Sequence, residues 1–160
     1  MATLTELSSE SNADKFLMGN SLFTGLKLGK VRTLFGEVNG ANKYASLREY
    51  STGAGYIVPA GKVFVMVYFT YVLVSGGSSG SYASFGSGTT DVGMNSSSAP
   101  SGKDTDDSRT AVLQTASTMD VAKTWLAKFK AGYYPFVFSS AGAGGVHVIG
   151  YEINEDDESL

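Results

Sequence analysis

Few residues in this chain are of types that do chemistry, and their spacing limits what that chemistry could be. His147 is the single histidine, and there is no cysteine. It therefore has no second imidazole with which to share a metal and no thiol to activate. Alternation along Val146 to Ile153 puts it on one strand face with Ile149 and Tyr151, as an ordinary hydrogen-bonded or exposed histidine. Asp104, Asp106 and Asp107 offer hard carboxylate oxygens on a Gly- and Ser-rich loop, a set that calcium could use. An EF-hand would need Asp, Asn and Gly at fixed offsets and a closing Glu; that pattern is missing, so solvated loop charges are the competing reading. Trp125, Tyr133 and Tyr134 could form an aromatic platform for a sugar ring, or anchor a core or a subunit interface.

Other motifs carry less. Gly76-Gly77-Ser78-Ser79-Gly80 and the glycines from Gly142 to Gly145 lack the Gly-Lys-Ser/Thr ending of a phosphate loop and the Rossmann spacing, so they read as connections between strands. Asn95-Ser96-Ser97 satisfies the glycosylation acceptor rule, as a chance match in a chain whose start, Met1-Ala2-Thr3-Leu4-Thr5-Glu6, lacks the basic and apolar regions of a signal peptide. Lys27, Lys30 and Arg32 read as a solvated basic face. The net charge of −3 argues against non-specific nucleic-acid binding. The longest apolar run, Val63 to Val74, is too short for a membrane helix, so no membrane insertion is expected. A cupin-type enzyme would need several histidines and a carboxylate around a metal, and one histidine does not supply them. No cofactor and no catalytic residue are expected.

The elements that must position these residues are extended. Gly is abundant at 20 of 160 residues, with nine Phe and nine Tyr, a composition that suits tight turns between strands. The run Gly61 to Ser75 is an unbroken series of β-branched and aromatic residues entered through Val58-Pro59-Ala60-Gly61. Regular alternation would put Val63, Val65, Val67, Phe69, Tyr71 and Leu73 on one face. Phe64, Met66, Tyr68, Thr70, Val72 and Val74 would take the other. Both faces are apolar, so this strand belongs in a sheet core or at a subunit interface.

Asn39-Gly40 predicts a turn between two short strands. Tyr82 to Phe85 and Val92 to Met94 predict short strands, and Val112-Leu113 another. Ser75 to Ser81, Ser96 to Asp107 and Ser139 to Gly145 read as variable loops. Residues 119–131 fit a helix by the face of Val121, Ala122, Trp125, Leu126 and Phe129. They fit a strand by Trp125, Ala127 and Phe129; the β surroundings favour strand for Lys123 to Lys130. Phe136-Val137-Phe138 and Val146 to Ile153 look like a closing hairpin. Asn154 to Leu160 reads as an acidic disordered tail.

Three segments together resemble small jelly-roll structural proteins of tailed bacteriophages. They are Gly55-Tyr56-Ile57-Val58-Pro59-Ala60-Gly61-Lys62; Phe85-Gly86-Ser87-Gly88 with Asp91-Val92-Gly93; and Ala131-Gly132-Tyr133-Tyr134-Pro135-Phe136-Val137 with Gly150-Tyr151-Glu152-Ile153. The resemblance covers about residues 50–153 and carries no catalytic residue. It implies an all-β, jelly-roll-like antiparallel β-sandwich over residues 51–153. Residues 1–50 would be an N-terminal arm with short strands, docking on a partner. The implied function is a virion accessory component: a capsid decoration, head fibre or receptor-binding piece. It would be made in the host cytoplasm and assemble as a homo-oligomer, with a trimer expected, beside other virion proteins. The alternative on the same fold is a carbohydrate-binding module or adhesin tip that meets a glycan receptor through Trp125, Tyr133 or Tyr134.

Overall fold

The computed structural model describes residues 30–75, 82–103, 109–111, 119–140 and 142–157. Nine strands form among them: β1 (Lys30–Asn39), β2 (Lys43–Ser46), β3 (Arg48–Glu49), β4 (Lys62–Ser75), β5 (Ala83–Gly88), β6 (Arg109–Ala111), β7 (Met119–Lys130), β8 (Tyr134–Ser139) and β9 (Ala143–Asn154). They make two sheets, ordered β3-β1-β9-β4-β7 and β2-β8-β5-β6. Every pairing is antiparallel. The chain is all-β over the described residues, and the two sheets share one core as a β-sandwich.

The inner faces supply that core. Leu34 and Val38 of β1, Phe64, Met66, Phe69 and Tyr71 of β4, and Val146 and Val148 of β9 come from the larger sheet. Ala45 of β2, Ala83 and Phe85 of β5 and Val137 of β8 meet them from the smaller one. Phe69 and Phe85 join the sheets edge-to-face, with ring centroids 5.0 Å apart. Each such large apolar side chain contributes roughly 1.5–3 kcal/mol by leaving water. Gly150 of β9 makes room for this packing: a Cβ there would sit 2.4 Å from Cζ of Phe64.

The long apolar run is a strand, but its faces are not those of regular alternation. Between Met66 and Tyr68 the register slips, so that Met66 pairs with Gly150 and Tyr68 with Ile149, leaving Val67 as an extra residue. A bulge reverses the phase of the residues that follow it, here as far as a second slip between Leu73 and Ser75. The core side chains are therefore Phe64 and Met66 before the bulge and Phe69 and Tyr71 after it. Val63 and Val65 face outwards, where they cluster with Ile153, Val67 and Tyr151.

Several local expectations are corrected by the sheet order. β8 and β9 are not a hairpin and do not pair: β8 lies between β2 and β5, β9 between β1 and β4. The strands expected on either side of Asn39-Gly40 do form, as β1 and β2, and this turn too carries the chain from one sheet to the other. The two crossings are tied by Gly40 N–H donating to the carbonyl of Gly142 at 3.1 Å. Ala143 to Gly145 belongs to β9 and not to a loop. Val92 to Met94 form no strand, because Gly93 and Asn95 are left-handed (φ 71° and 60°) and break the extended path. Residues 119–130 are strand throughout.

No boundary falls at residue 50. β1 runs between β3 and β9, and β2 is part of the smaller sheet, so residues 30–49 are integral to the sandwich. Residues 1–29, where the rest of the expected arm falls, lie outside the described residues, as do Val112-Leu113. The start of the expected tail is ordered: Asn154 pairs with Lys62, and Glu155–Asp157 form a 3-10 turn.

Candidate functional site

The side-chain geometry that stands out lies at the two ends of the sandwich. At the end where β1 finishes and β9 begins, β3 has already stopped, since it pairs only with Leu34 and Phe35. The free edge of β1 is taken up by the segment that comes after β5. That segment first lies along β2: Tyr44 and Ser96 exchange two backbone bonds of 2.8 Å, and Ser46 N–H donates to the Gly93 carbonyl at 2.9 Å. Asn95 then reaches β1. Its N–H donates to the carbonyl of Glu37 at 3.2 Å, and its Oδ1 accepts from Asn39 N–H at 2.8 Å. These two bonds hold Asn95 in its left-handed conformation, one that asparagine tolerates better than most residues.

The result is a cleft of about 600 Å³ lined by Glu37, Asn39, Met94, Asn95, Gly144 and Gly145, among others. Register puts Gly145 directly across from Glu37 and Gly144 across from Val38. Glu37, Asn39 and Asn95 are exposed, and Met94 keeps 45% of its surface open. Among the described residues Glu37 has no ion-pair partner.

At the opposite end the chain buries a carboxylate. Glu152 is 6% exposed. Its Oε1 accepts from Arg32 Nε at 2.7 Å and from the Tyr56 hydroxyl at 2.8 Å. Arg32 also donates to Glu49 at 2.8 Å and lies 5.6 Å from the Tyr56 ring centroid. Burial pushes the Tyr56 hydroxyl far above the ordinary tyrosine range, and the Glu152 hydrogen bond and charge push it further. Burial alone would lower the Arg32 pKa, but the hydrogen bond and charge of Glu152, with the charge of Glu49, carry it above its usual value. Such a saturated carboxylate is a structural staple: its bonding oxygen already holds two donors, and its neighbour Tyr56 keeps its proton.

No family model, no curated protein and no solved structure matches this chain.

The residues singled out by sequence are described only in part. Asp104, Asp106 and Asp107 lie outside the described residues. Among the described residues no three carboxylate or imidazole groups gather. Trp125 is on β7 at the register slip opposite Val67, where Met66 pairs with Ala127 and Tyr68 with Thr124. Tyr133 is half-buried in the turn before β8, with Lys130 Nζ 4.6 Å from its ring centroid. Tyr134 opens β8, half-buried and paired with Gly88. A cation already covers a face of Tyr133, which leaves less ring for a sugar.

His147 is exposed on β9 and shares that outer face with Ile149, the face that alternation predicts. Its Nδ1 is hydrogen-bonded by the Tyr50 hydroxyl, and the two rings stack with centroids 5.6 Å apart. Phe35 extends the stack, 4.8 Å from Tyr50. Sequence reasoning did not bring out Tyr50, the Glu152 staple or the cleft. Each joins residues about 50 or more positions apart, and no local spacing signals such a meeting. Asn95 carried a weak signal, as the asparagine of an acceptor triplet in a loop.

Proposed function

We propose that this chain is a non-enzymatic structural subunit of a virion, a capsid decoration or accessory protein. It assembles with copies of itself, as a trimer, and with other virion proteins by burying apolar surface. The observation that carries this reading is the outer face of the five-stranded sheet. Val63, Val65 and Ile153 cluster there with the partly buried Val67 and Tyr151, on the side away from the core, and are themselves only 4%, 5% and 3% exposed. Val31 and Ile149, on the same face, are 41% and 37% exposed. An antiparallel sheet with one wet face alternates apolar-in with polar-out, and this one does not. The two exposed side chains lie beside this apolar cluster, and apolar surface left open on a sheet face supports an interaction site there.

The jelly-roll form of the sandwich is supported by the connections. With the two-residue β3 set aside, β1-β9-β4-β7 faces β2-β8-β5-β6. The chain then changes sheet at every step except β5 to β6, which pair with one another. Eight strands in two sheets of four is the jelly-roll plan, a common one for capsid domains. The phage-like turn and strand segments, Val58-Pro59-Ala60-Gly61-Lys62 above all, support the virion assignment. Size-exclusion chromatography with light scattering tests the proposal. The expected mass is that of a trimer, and a clean monomer with no affinity for capsids would overturn it.

A further inference from the structure

We infer that the cleft between the end of β1 and the start of β9 binds a neutral polyhydroxylated ring, a saccharide. Glu37, Asn39 and Asn95 would read its hydroxyl groups, and Met94 and the Gly145 backbone would lie against its C–H surface. This function is separate from subunit assembly. The cleft is at the end of the sheet away from Val63, Val65 and Ile153.

Gly145 is the observation that points to a ligand. A glycine inside a strand weakens it, so the position needs a reason. Packing supplies that reason at the preceding residue: a Cβ on Gly144 would lie 2.6 Å from the carbonyl oxygen of Val72. Among the described residues it supplies none at Gly145, where the nearest atom to a Cβ would be the Gly36 carbonyl oxygen at 3.8 Å. A left-handed backbone does not demand it, since Gly145 is not among the residues of positive φ, and the register slip of β4 against β9 between Leu73 and Ser75 falls beside Gly144 and Ala143 rather than at Gly145. The fold has room for a side chain at Gly145, and that room is part of the cleft. A strand glycine marks a bulge, a bend or a place where another group approaches the backbone, and at Gly145, open to the cleft, the last of these is the reading adopted.

The surrounding groups define the chemistry of that group. Each sugar hydroxyl is both a donor and an acceptor. The Glu37 carboxylate accepts, and the Asn39 and Asn95 carboxamides add both functions. Asn95 Oδ1 is committed to Asn39 N–H, so its NH₂ is the end left for a ligand. Pinned by its two bonds to β1, Asn95 is arranged before binding, which reduces the entropy lost on association. The exposed Met94 thioether is a soft, apolar contact surface. A cleft of about 600 Å³ is of small-molecule size.

The test is an amide-shift titration of the full-length ¹⁵N-labelled protein by NMR. The probes are glucose, galactose, mannose and N-acetylglucosamine, with glycerol and putrescine as controls, each taken to about 50 mM, above the millimolar range of weak sites. At least one saccharide is expected to shift the Asn39, Asn95 and Gly145 amides saturably. Glu37→Gln and Gly145→Val should each weaken that binding by about tenfold, with the unfolding midpoint of Gly145→Val unchanged. Should Gly145→Val fold poorly, Glu37→Gln alone decides. The inference is overturned if no saccharide moves these amides, if the variants bind like the parent, or if putrescine binds where the sugars do not. The titration is read on whatever oligomer the chain forms, so a monomeric result for assembly leaves it standing.

Discussion

Glu152 is the residue on which one end of the sandwich depends. Removing a buried carboxylate leaves its donors without an acceptor, a larger cost than the net worth of the bonds it made. Glu152→Ala should therefore destabilise the protein by about 2–4 kcal/mol in urea unfolding. Partial exposure of Arg32 keeps the loss below that of a fully buried pair. Tyr56 and Tyr71 make a pH prediction. Burial raises both hydroxyl pKa values, with Glu152 adding to the effect at Tyr56 and the Ser139 hydrogen bond opposing it at Tyr71. A raised folded-state pKa gives stabilisation that is complete below the unfolded value of about 10 and is lost as pH rises through the folded value. Stability should thus fall above about pH 10, and Tyr56 and Tyr71 should ionise at a higher pH in the folded protein than in the unfolded one, as monitored by ultraviolet absorbance. That His147 shares a strand face with Ile149 and Tyr151 was legible from alternation. Its stacking on Tyr50 was not, because 97 residues separate the two.

For the elements, the decisive feature is the bulge at Val67. Composition alone made β4 a strand, since a run of Val, Phe and Tyr packs well on a pleated surface. Which of its residues reach the core was hidden, because one extra residue turns over the side chains that follow it. Unbroken alternation from Phe64 and Met66 would bury Tyr68; with the bulge, Phe69 is the buried ring. Phe69→Ala should cost about 3–5 kcal/mol and Tyr68→Ala about 1 kcal/mol in denaturant unfolding. Equal costs would mean that the bulge is absent in solution. The closing pair, β8 and β9, was misread as a hairpin for a related reason. A turn dipeptide such as Asn39-Gly40 fixes that the chain reverses, and does not fix whether the two strands pair or pass to opposite sheets.

The whole molecule is where assembly is decided. If the outer sheet face is shared between copies, a charge placed on it should separate them and leave each one folded. Ile149→Lys together with Val31→Glu should lower the light-scattering mass to that of one chain with an unchanged circular dichroism spectrum, and should abolish any rise of the melting temperature with protein concentration. A mass that stays the same would remove this face from the interface. The sequence by itself determined that the protein is all-β, where most of its strands run, and that it carries apolar surface on both sides of β4. Those properties arise from side-chain type and from alternation at a period of two, which act locally. Only the tertiary structure decided the sheet order, the phase of β4 beyond Val67, the Arg32–Glu152–Tyr56 staple and the cleft at Gly145. Each of these joins segments far apart in the chain, through register and close contact that neighbours in sequence do not encode.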